Sequence, residues 1–413
     1  MHTPHRMVSL CLAVLFATSA HSTLASSTAT EFTVQAAYQS ALALNPALQA
    51  QHKRLESLQS KVQAAHALTA QPPTLEGAYR TDRSHNNQGV REVELGISAP
   101  LWHWNEQSRT QALRSSELQA EAQRLEQHKL ELAGEVRQLC WNTLSAHLDV
   151  QIAHTRATAA QTLLDDITRR VNAGELAQTD VYQAKALLAQ AQSDISRTLG
   201  VLADLSAEFS SLTGLPASVL ERLLPENAPV PEALRPLDHP SLQLAKVQLQ
   251  VQNQQEALLR TQARNNPEVG LSIVSERAGF GMPNEKSMVL STRIPLDNAS
   301  EYQSRVLDAQ ANTLSAEVAL SKAERSVLTK GRAAAGSVDV FEQLRNSSQE
   351  QADLAQQVYA LQRKSFALGE TDLPTLLRHE QQAFESSRLA HKANIEYAAK
   401  VSAYKQALGL LPE

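Results

Sequence analysis

The two halves of this chain repeat the same short segments in the same order, and this duplication limits the possible folds more than any other feature of the sequence. Equivalent positions are 194 residues apart near the start (Pro46 and Pro240) and 196 apart near the end (Pro216 and Pro412). The paired segments are Asn45-Pro46 with His239-Pro240, Pro73-Thr74-Leu75-Glu76-Gly77 with Pro267-Glu268-Val269-Gly270, Pro100-Leu101 with Pro295-Leu296, Ala173-Gly174-Glu175 with Leu368-Gly369-Glu370, and Leu212-Thr213-Gly214-Leu215-Pro216 with Leu408-Gly409-Leu410-Leu411-Pro412. Because solenoid repeats are only ~20–50 residues long, we expect two structural repeats, at residues 26–216 and 239–413, joined by a linker at 217–238.

Residues 1–25 have the pattern of a secretory signal peptide. A weakly basic start precedes an apolar run at 8–20, and Ala25 ends a cleavage site made of small residues. The apolar run is shorter than the ~20 residues of a membrane-spanning helix, so we expect an exported protein without a transmembrane helix. Cleavage would leave Cys140 as the only cysteine, which excludes an internal disulfide framework.

Charge and composition exclude several classes of protein. The formal net charge is −5, and an acidic chain is a poor ligand for nucleic acid or anionic lipid. Aromatic residues make up only 4% of the chain, which favours long helices over a bulky globular core. His147 and His154 are seven residues apart, too far to share one metal ion without other ligands. No nucleophile–base cluster or phosphate-binding loop stands out, so we expect neither an enzyme nor a cofactor.

Two long segments without proline predict two very long helices. Residues 105–172 and 300–367 each contain 68 residues and no proline, and as helices they would be on the order of 100 Å long. Leucines recur seven residues apart in both segments, at Leu118, Leu125, Leu132 and Leu139 in the first and at Leu307, Leu314 and Leu328 in the second. This spacing is typical of coiled coils.

Each predicted rod ends at a glycine and is followed by a second helix. Gly174 and Gly369 stand where left-handed residues usually end helices. Return helices are predicted at 178–214 and 373–409, the first capped by Thr179 or Asp180 and the second by Thr371 or Asp372. These return helices are shorter than the rods, so helices predicted at 32–70 and 241–265 would cover the remainder.

Four short stretches alternate between apolar and polar residues with period two, which predicts two β-hairpins. They lie at residues 74–81, 92–99, 269–273 and 288–294. The apolar positions are Leu75, Tyr79, Val93, Leu95, Ile97, Ala99, Val269, Leu271, Ile273, Met288, Leu290 and Ile294. The pattern suits a soluble sheet wetted on one face, or strands of a transmembrane β-barrel. Trp102, Trp104 and Tyr79 lie near strand ends, where an aromatic girdle would be.

A membrane barrel would require more than one copy of this chain. Four strands cannot close a barrel, and open edges in lipid leave backbone groups unpaired. Two copies supply eight strands and three supply twelve. The predicted unit is therefore a strand hairpin feeding a pair of long helices, present twice and shared among copies in one pore.

This order of elements resembles the TolC-like outer-membrane efflux protein family over residues 32–412. The local matches are Val171-Asn172-Ala173-Gly174-Glu175-Leu176 with Thr179-Asp180-Val181, Phe366-Ala367-Leu368-Gly369-Glu370-Thr371, and the Leu-Thr-Gly-Leu-Pro segment that ends at Pro216. The resemblance implies a mainly α-helical fold with a β-barrel part: a homotrimer whose 12-strand barrel lies in the outer membrane and continues as a 12-helix α-barrel into the periplasm of a Gram-negative bacterium.

The resemblance also implies which residues matter. The turns would dock a periplasmic adaptor protein through Ala173, Gly174, Glu175, Leu176, Leu368, Gly369, Glu370 and Thr371. A gate would include Asp180, Phe366 and Asp372. Phe366 replaces a tyrosine that is common in the family, and Thr371 replaces a basic gating residue, so the details of gating do not transfer.

The function implied is that of an exit duct in a tripartite efflux system. The duct would work with the adaptor and a proton-driven inner-membrane pump, and would export small solutes or metal ions across the outer membrane. The short chain and the absence of a lipidated cysteine resemble the branch that serves heavy-metal efflux. The alternatives are the outer-membrane component of a type I protein secretion system and a structural coiled-coil protein of the periplasm. The sequence leaves the cargo and the pump open.

Overall fold

A computed structural model describes residues 31–227, 238–296 and 299–413 of the chain. The predicted signal peptide and residues 228–237 of the predicted linker lie outside these ranges. Residues Phe32–Glu413 form one compact structural unit. No helix in the described ranges is both long and apolar enough to cross a membrane.

The same succession of elements occurs in both halves. The first half contains α1 (Val34–Leu44), α2 (Pro46–Ala64), β1 (Thr74–Thr81), β2 (Arg91–Pro100), α3 (Glu106–Asn172) and α4 (Gln178–Thr213), followed by a 3-10 helix at Ala217–Arg222. The second half contains α5 (Pro240–Thr261), β3 (Glu268–Arg277), β4 (Glu285–Arg293), α6 (Ala299–Ala367) and α7 (Leu373–Ala407). The mainly helical fold with a few antiparallel strands is confirmed, and the limits of the two repeats stay predictions.

The two rods have nearly the predicted lengths, with 67 residues in α3 and 69 in α6. The predicted helix at 32–70 is wrong in one respect, because it is divided into α1 and α2 at Asn45. Pro46 lacks the N–H that a continuous helix would need, and it holds the preceding residue in an extended conformation. The Asn45 side chain then caps α2 by accepting a hydrogen bond from the Ala47 N–H at 2.9 Å.

The shorter helices cover the rods in two sections. Next to the strands, Gln111 of α3 donates to the Ala65 carbonyl, just past the end of α2, at 3.2 Å. Further from the strands, the amide oxygen of Gln127 accepts a hydrogen bond from Ser241, in the first turn of α5, at 2.7 Å. Further along, α3 packs on α4 and α7, where the buried Trp141 Nε1 donates to Ser402 at 2.8 Å. The second rod, α6, packs mainly on α7 and α5.

The main core lies midway along α3. It contains Val34 and Ala37 of α1, Val136 and Cys140 of α3, and Phe209 of α4, all nearly inaccessible to solvent. Burial, with a contribution from the charge of Glu226, raises the pKa of the Cys140 thiol to about 12. We therefore expect Cys140 to contribute to packing and its thiol to be unreactive.

The four strands form one antiparallel sheet in the order β1-β2-β3-β4. The hairpins of the two halves join through β2 and β3, in a register that pairs Leu95 with Ile273. The alternation predicted from the sequence therefore continues across the sheet. One row reads Leu75, Ile97, Leu271, Leu290, and the next reads Gly77, Leu95, Ile273, Met288. Ile294 lies just past the end of β4, so its predicted place in the strand is wrong by one residue.

Candidate functional site

The sheet exposes its apolar face on all four strands, and its polar face is partly buried on the two central strands, β2 and β3. Leu95, Met288 and Leu290 are 61%, 70% and 71% exposed, whereas Gly270 and Ser272 on the opposite face of β3 are buried. A sheet stable in water places its apolar side chains against a core and its polar side chains outward. This sheet has the reverse arrangement, which is typical of a face that contacts another protein or a membrane.

Hydrogen bonds within the sheet satisfy the polar face. The Ser272 hydroxyl donates to the Glu94 carboxylate at 2.6 Å, and Ser98 donates to Glu76 at the same distance. Nearer the hairpin loops, Arg80 pairs with Glu92 at 3.1 Å across β1 and β2. These contacts let two adjacent strands carry carboxylates on a partly buried surface, because each named carboxylate accepts a charge-assisted or hydroxyl hydrogen bond.

Both edges of the sheet are open within the described residues. β1 pairs only with β2, and β4 pairs only with β3. An unprotected edge strand offers a row of backbone donors and acceptors to another strand. The sheet therefore has the properties of a segment that other strands complete.

Aromatic side chains lie at both ends of the strands. Tyr79 is near the hairpin loops, where the Phe280 N–H donates to the Gln88 carbonyl at 2.9 Å and joins the two loops. At the opposite end, Trp104 is exposed, and Trp102 Nε1 donates to the Ala67 carbonyl at 3.0 Å. Rings that are apolar with a polar tip favour the interface between lipid and water.

The far ends of the rods form two turns with the same geometry. Gly174 and Gly369 have φ angles of 81° and 76°, in the left-handed region. The next N–H reaches back along the rod in each case, from Glu175 to the Arg170 carbonyl at 2.9 Å and from Glu370 to the Ser365 carbonyl at 3.0 Å. This bonding pattern is the Schellman motif, which ends a helix without orphaned carbonyls. A Cβ at either glycine would have no atom within 4 Å, so the turns project into open space.

A small apolar cluster holds the two turns side by side. Ile167 of α3, Val181 of α4, Phe366 of α6, and Leu373 and Leu376 of α7 are all buried in it. The cluster contains side chains from all four helices that enter the turns. We call the two turns, residues 173–176 and 368–371, together with this cluster, the tip.

The predicted gate residues occupy three different environments. Asp372 is exposed and is the N-cap of α7, where hydrogen bonds from Thr375 hold the pKa of its carboxyl below the usual range. Asp180 is at the third residue of α4, not at the N-cap, which is Ala177; its carboxylate accepts the Ala177 N–H at 3.1 Å. Phe366 is only 4% exposed, and its ring lies in the tip cluster.

Three of the four residues predicted as possible N-caps, Thr179, Asp180 and Thr371, do not occupy that position. Thr179 lies inside α4, and Thr371 precedes the N-cap of α7. In the second turn the cap is Asp372, as one of the two predicted options. In the first turn, the carboxylate of Asp180 reaches back to the N-cap N–H, which is half of a capping box. Thus both acidic residues stabilise the start of a return helix, whatever other role they have.

A buried acid above the tip was not predicted. Glu380 of α7 is 8% exposed, and one of its carboxylate oxygens has no hydrogen-bond partner among the described residues. Burial raises the pKa of this carboxyl, and the charge of Arg156 offsets that rise only in part. Arg156 lies 4.4 Å from the ring centroid of Phe384 and 3.3 Å from Asp194. No local pattern marks Glu380, because a sequence does not show that Arg156 of the distant helix α3 lies close to it.

The described residues contain no group of three or more His, Cys, Asp or Glu side chains placed to hold a metal ion. The exposed apolar face of the sheet and the turns that project into open space are the surfaces best suited to contact with another molecule.

Comparisons with known proteins agree with this geometry. A sequence profile of the outer membrane efflux protein family matches residues 37–215. No curated protein sequence matches the chain significantly.

Solved structures share the fold. The outer membrane protein VceC of Vibrio cholerae is 14% identical, with a TM-score of 0.76 over 91% of this chain and 96% of VceC. CusC, described for conformational changes that accompany folding and transmembrane channel formation, is 16% identical, with a TM-score of 0.76 over 91% of this chain and 92% of its own. The outer membrane channel CmeC of Campylobacter jejuni is 16% identical, with a TM-score of 0.73 over 91% and 85%. The resemblance predicted from the sequence is therefore confirmed: residues 37–215 match the profile of the outer membrane efflux protein family, and the fold of the solved TolC-like channels extends over 91% of the chain.

Proposed function

We propose that this protein is the outer-membrane exit duct of a tripartite efflux system. In this proposal three copies form a 12-strand barrel in the outer membrane and a 12-helix tunnel in the periplasm. A periplasmic adaptor docks on the tip and connects the duct to a proton-driven inner-membrane pump. The duct itself passes small solutes or metal ions and performs no chemistry.

The observation that carries the proposal is the sheet, whose apolar face is exposed. Its strands contain 8 to 10 residues, close to the ~9–11 residues of a tilted strand that crosses a membrane. The exposed face of the sheet is mainly aliphatic, and the opposite face is polar. A membrane barrel has the same arrangement, with the aliphatic face toward lipid and the polar face toward water. Both edges are open, and a barrel in lipid must close them. Copies of the same sheet supply the missing strands.

The length of the rods supports a duct that extends away from the membrane. Because α3 contains 67 residues, it extends for about 100 Å at ~1.5 Å per residue. The strands lie at one end of this rod and the tip at the other. A contact between the tip and another protein would therefore lie far from the outer membrane, on the periplasmic side.

The acidic residues next to the tip support a passage that favours cations. Asp180 and Asp372 both start return helices at the end of the tunnel, and three copies would place six carboxylates near its opening. Rings of carboxylates favour cations and impede anions. We therefore expect positively charged solutes or metal ions to pass more readily than anions.

Fractionation tests the first part of this proposal. Cells that express the protein are separated into inner and outer membranes, and the protein is run on a semi-native gel with and without heating. We expect it in the outer-membrane fraction as a heat-sensitive trimer. Recovery as a monomer without detergent would contradict the proposal.

Substitution of the two turn glycines tests the docking role. We expect Gly174→Leu with Gly369→Leu to abolish export in a resistance assay. The trimer should stay intact, because both turns project into open space and the strain of a side chain at positive φ is confined to the turns. The matched control is Gly336→Leu, at an exposed glycine inside α6 that also has no atom near its Cβ position. Export that persists in the double variant, or is lost equally in the control, would refute docking at the turns.

A further inference from the structure

Arg170, one residue before the predicted tip motif, links the two repeats at the tip. Its guanidinium donates one hydrogen bond to the Phe366 carbonyl at 3.1 Å and another to the Ala367 carbonyl at 3.0 Å. The same group lies 5.0 Å from the centroid of the Phe366 ring. Arg170 belongs to α3, whereas its partners are the last two residues of α6, so these contacts span 196 to 197 residues of sequence.

The acceptors of Arg170 are groups that α6 cannot satisfy by its own helical bonds. The last carbonyls of a helix have no partner in the next turn, and they carry the negative end of the helix dipole. A planar guanidinium is suited to bond two neighbouring oxygens at once. The Phe366 carbonyl also accepts the Gly369 N–H at 3.1 Å, which is one of the bonds that close the second turn. Arg170 therefore acts on the second turn directly.

The surroundings of Arg170 hold it in this position. Asp166, one helical turn earlier, lies 3.6 Å from Arg170 Nε, and the Arg170 side chain is only 21% exposed. The adjacent Arg169 shares Asp166 but differs in exposure and makes none of the hydrogen bonds to α6 carbonyls described above. Its side chain is 77% exposed, and it pairs with Asp166 on its own helix at 3.2 Å.

The duplicated half has no equivalent of this residue. Gly174 corresponds to Gly369, an offset of 195, and the same offset from Arg170 leads to Ser365. The Ser365 hydroxyl donates to Glu370 in its own turn at 3.2 Å. The link therefore runs in one direction only, from the first repeat to the second. The second rod has its own cation in its last turn, Lys364, so Arg170 is distinguished by its contacts between the two repeats and not by its charge alone.

We propose that Arg170 is a positioning residue that joins the two turns of one chain into a single rigid docking unit. This inference rests on the proposed function, since it concerns how the tip presents itself to an adaptor. With Arg170 in place, the ends of α3 and α6 move together and the two turns keep a constant spacing. Without it, the second turn loosens while the rods and the barrel remain folded.

Hydrogen exchange on the detergent-solubilised trimer tests the link without any assumption about transport. In Arg170→Ala we expect amides at 366–371 to exchange at least about tenfold faster, which is the effect of losing charge-assisted hydrogen bonds. The unfolding temperature should stay within about 1 °C of the wild type, since the change is confined to the tip. Arg170→Lys keeps the charge without the planar fork, so we expect an intermediate exchange rate. Arg169→Ala is the matched control and should leave exchange at 366–371 unchanged.

The outcomes separate this inference from the proposed function. Unchanged exchange at 366–371 in Arg170→Ala, or an equal increase in Arg169→Ala, would overturn the link even if the protein is an efflux duct. A uniform increase along both rods would also overturn it, because it would show a general stabilising role. Recovery of the protein outside the outer-membrane fraction would refute the proposed function as an exit duct, whatever the hydrogen-exchange rates are.

Discussion

Replacing Leu95 with arginine tests most directly whether the apolar face of the sheet contacts lipid. Leu95 is the fifth residue of β2, which contains 10 residues. At ~3.4 Å per residue and a tilt of ~45°, such a strand crosses about 24 Å of membrane. Leu95 would then lie near the midplane, where an arginine on the lipid face costs ~2–4 kcal/mol.

The two interpretations of the sheet differ by a measurable amount. If the face is in water, Leu95 is an exposed surface residue, and its substitution should change stability by no more than ~0.5 kcal/mol. If the face is in lipid, three copies add three such costs, about 6–12 kcal/mol per trimer when the sites are independent. We therefore expect Leu95→Arg to remove most of the heat-sensitive trimer from the outer membrane. Urea unfolding of the protein in lipid vesicles gives the cost per chain.

Two control variants distinguish the face from a general effect of charge. Leu68→Arg makes the same change at a residue that is 93% exposed, between α2 and β1 and outside the sheet. Glu94→Gln changes the neighbouring residue on the polar face and keeps an acceptor for the Ser272 hydroxyl. We expect both to assemble. A Leu95→Arg protein as stable as Leu68→Arg, or a greater loss in Glu94→Gln, would refute the assignment of the two faces.

Three other predictions concern single residues of the helices. The raised folded pKa of Glu380 means that its contribution to stability is complete below the unfolded pKa, near 4.5, and is lost as the pH rises through the folded value. Glu380→Gln should therefore stabilise the protein at pH 7, by about 1–3 kcal/mol, and have no effect near pH 4, as measured by thermal unfolding. Asp180→Asn should weaken cation selectivity in single-channel recordings with little loss of stability, because the amide oxygen can still accept the Ala177 N–H. Arg137→Met should lower the free energy of unfolding by about 3 kcal/mol, because it leaves Glu226 buried without its partner at 3.0 Å.

Each of these predictions has its own contrary outcome. An equal shift in unfolding temperature at pH 4 and pH 7 would show that the charge of Glu380 is not the cause. Unchanged selectivity in Asp180→Asn, together with a loss of ~1 kcal/mol in Asp180→Ala, would leave Asp180 only its capping role. A cost below about 1 kcal/mol for Arg137→Met would show that Lys405, 3.7 Å from Glu226, is a sufficient partner.

The sequence alone determined the kind, length and order of the main elements. Proline-free segments with leucines seven apart became α3 and α6, because helical periodicity and the absence of proline act over neighbouring residues. Gly174 and Gly369 end the rods for the same local reason, since glycine adopts a positive φ at little cost. The alternation around Leu95 predicted two faces, but an alternating pattern alone cannot show whether the apolar face meets a core or lipid.

Only the tertiary structure decided which surfaces and partners those elements have. The pairing of Leu95 with Ile273 joins hairpins that are far apart in sequence and extends the exposed apolar face across four strands. The contact of Arg170 with the Phe366 carbonyl and the burial of Glu380 depend equally on which helices become neighbours. Packing and pairing are interactions between distant residues, and the periodicity of one segment contains no information about which other segment will cover it.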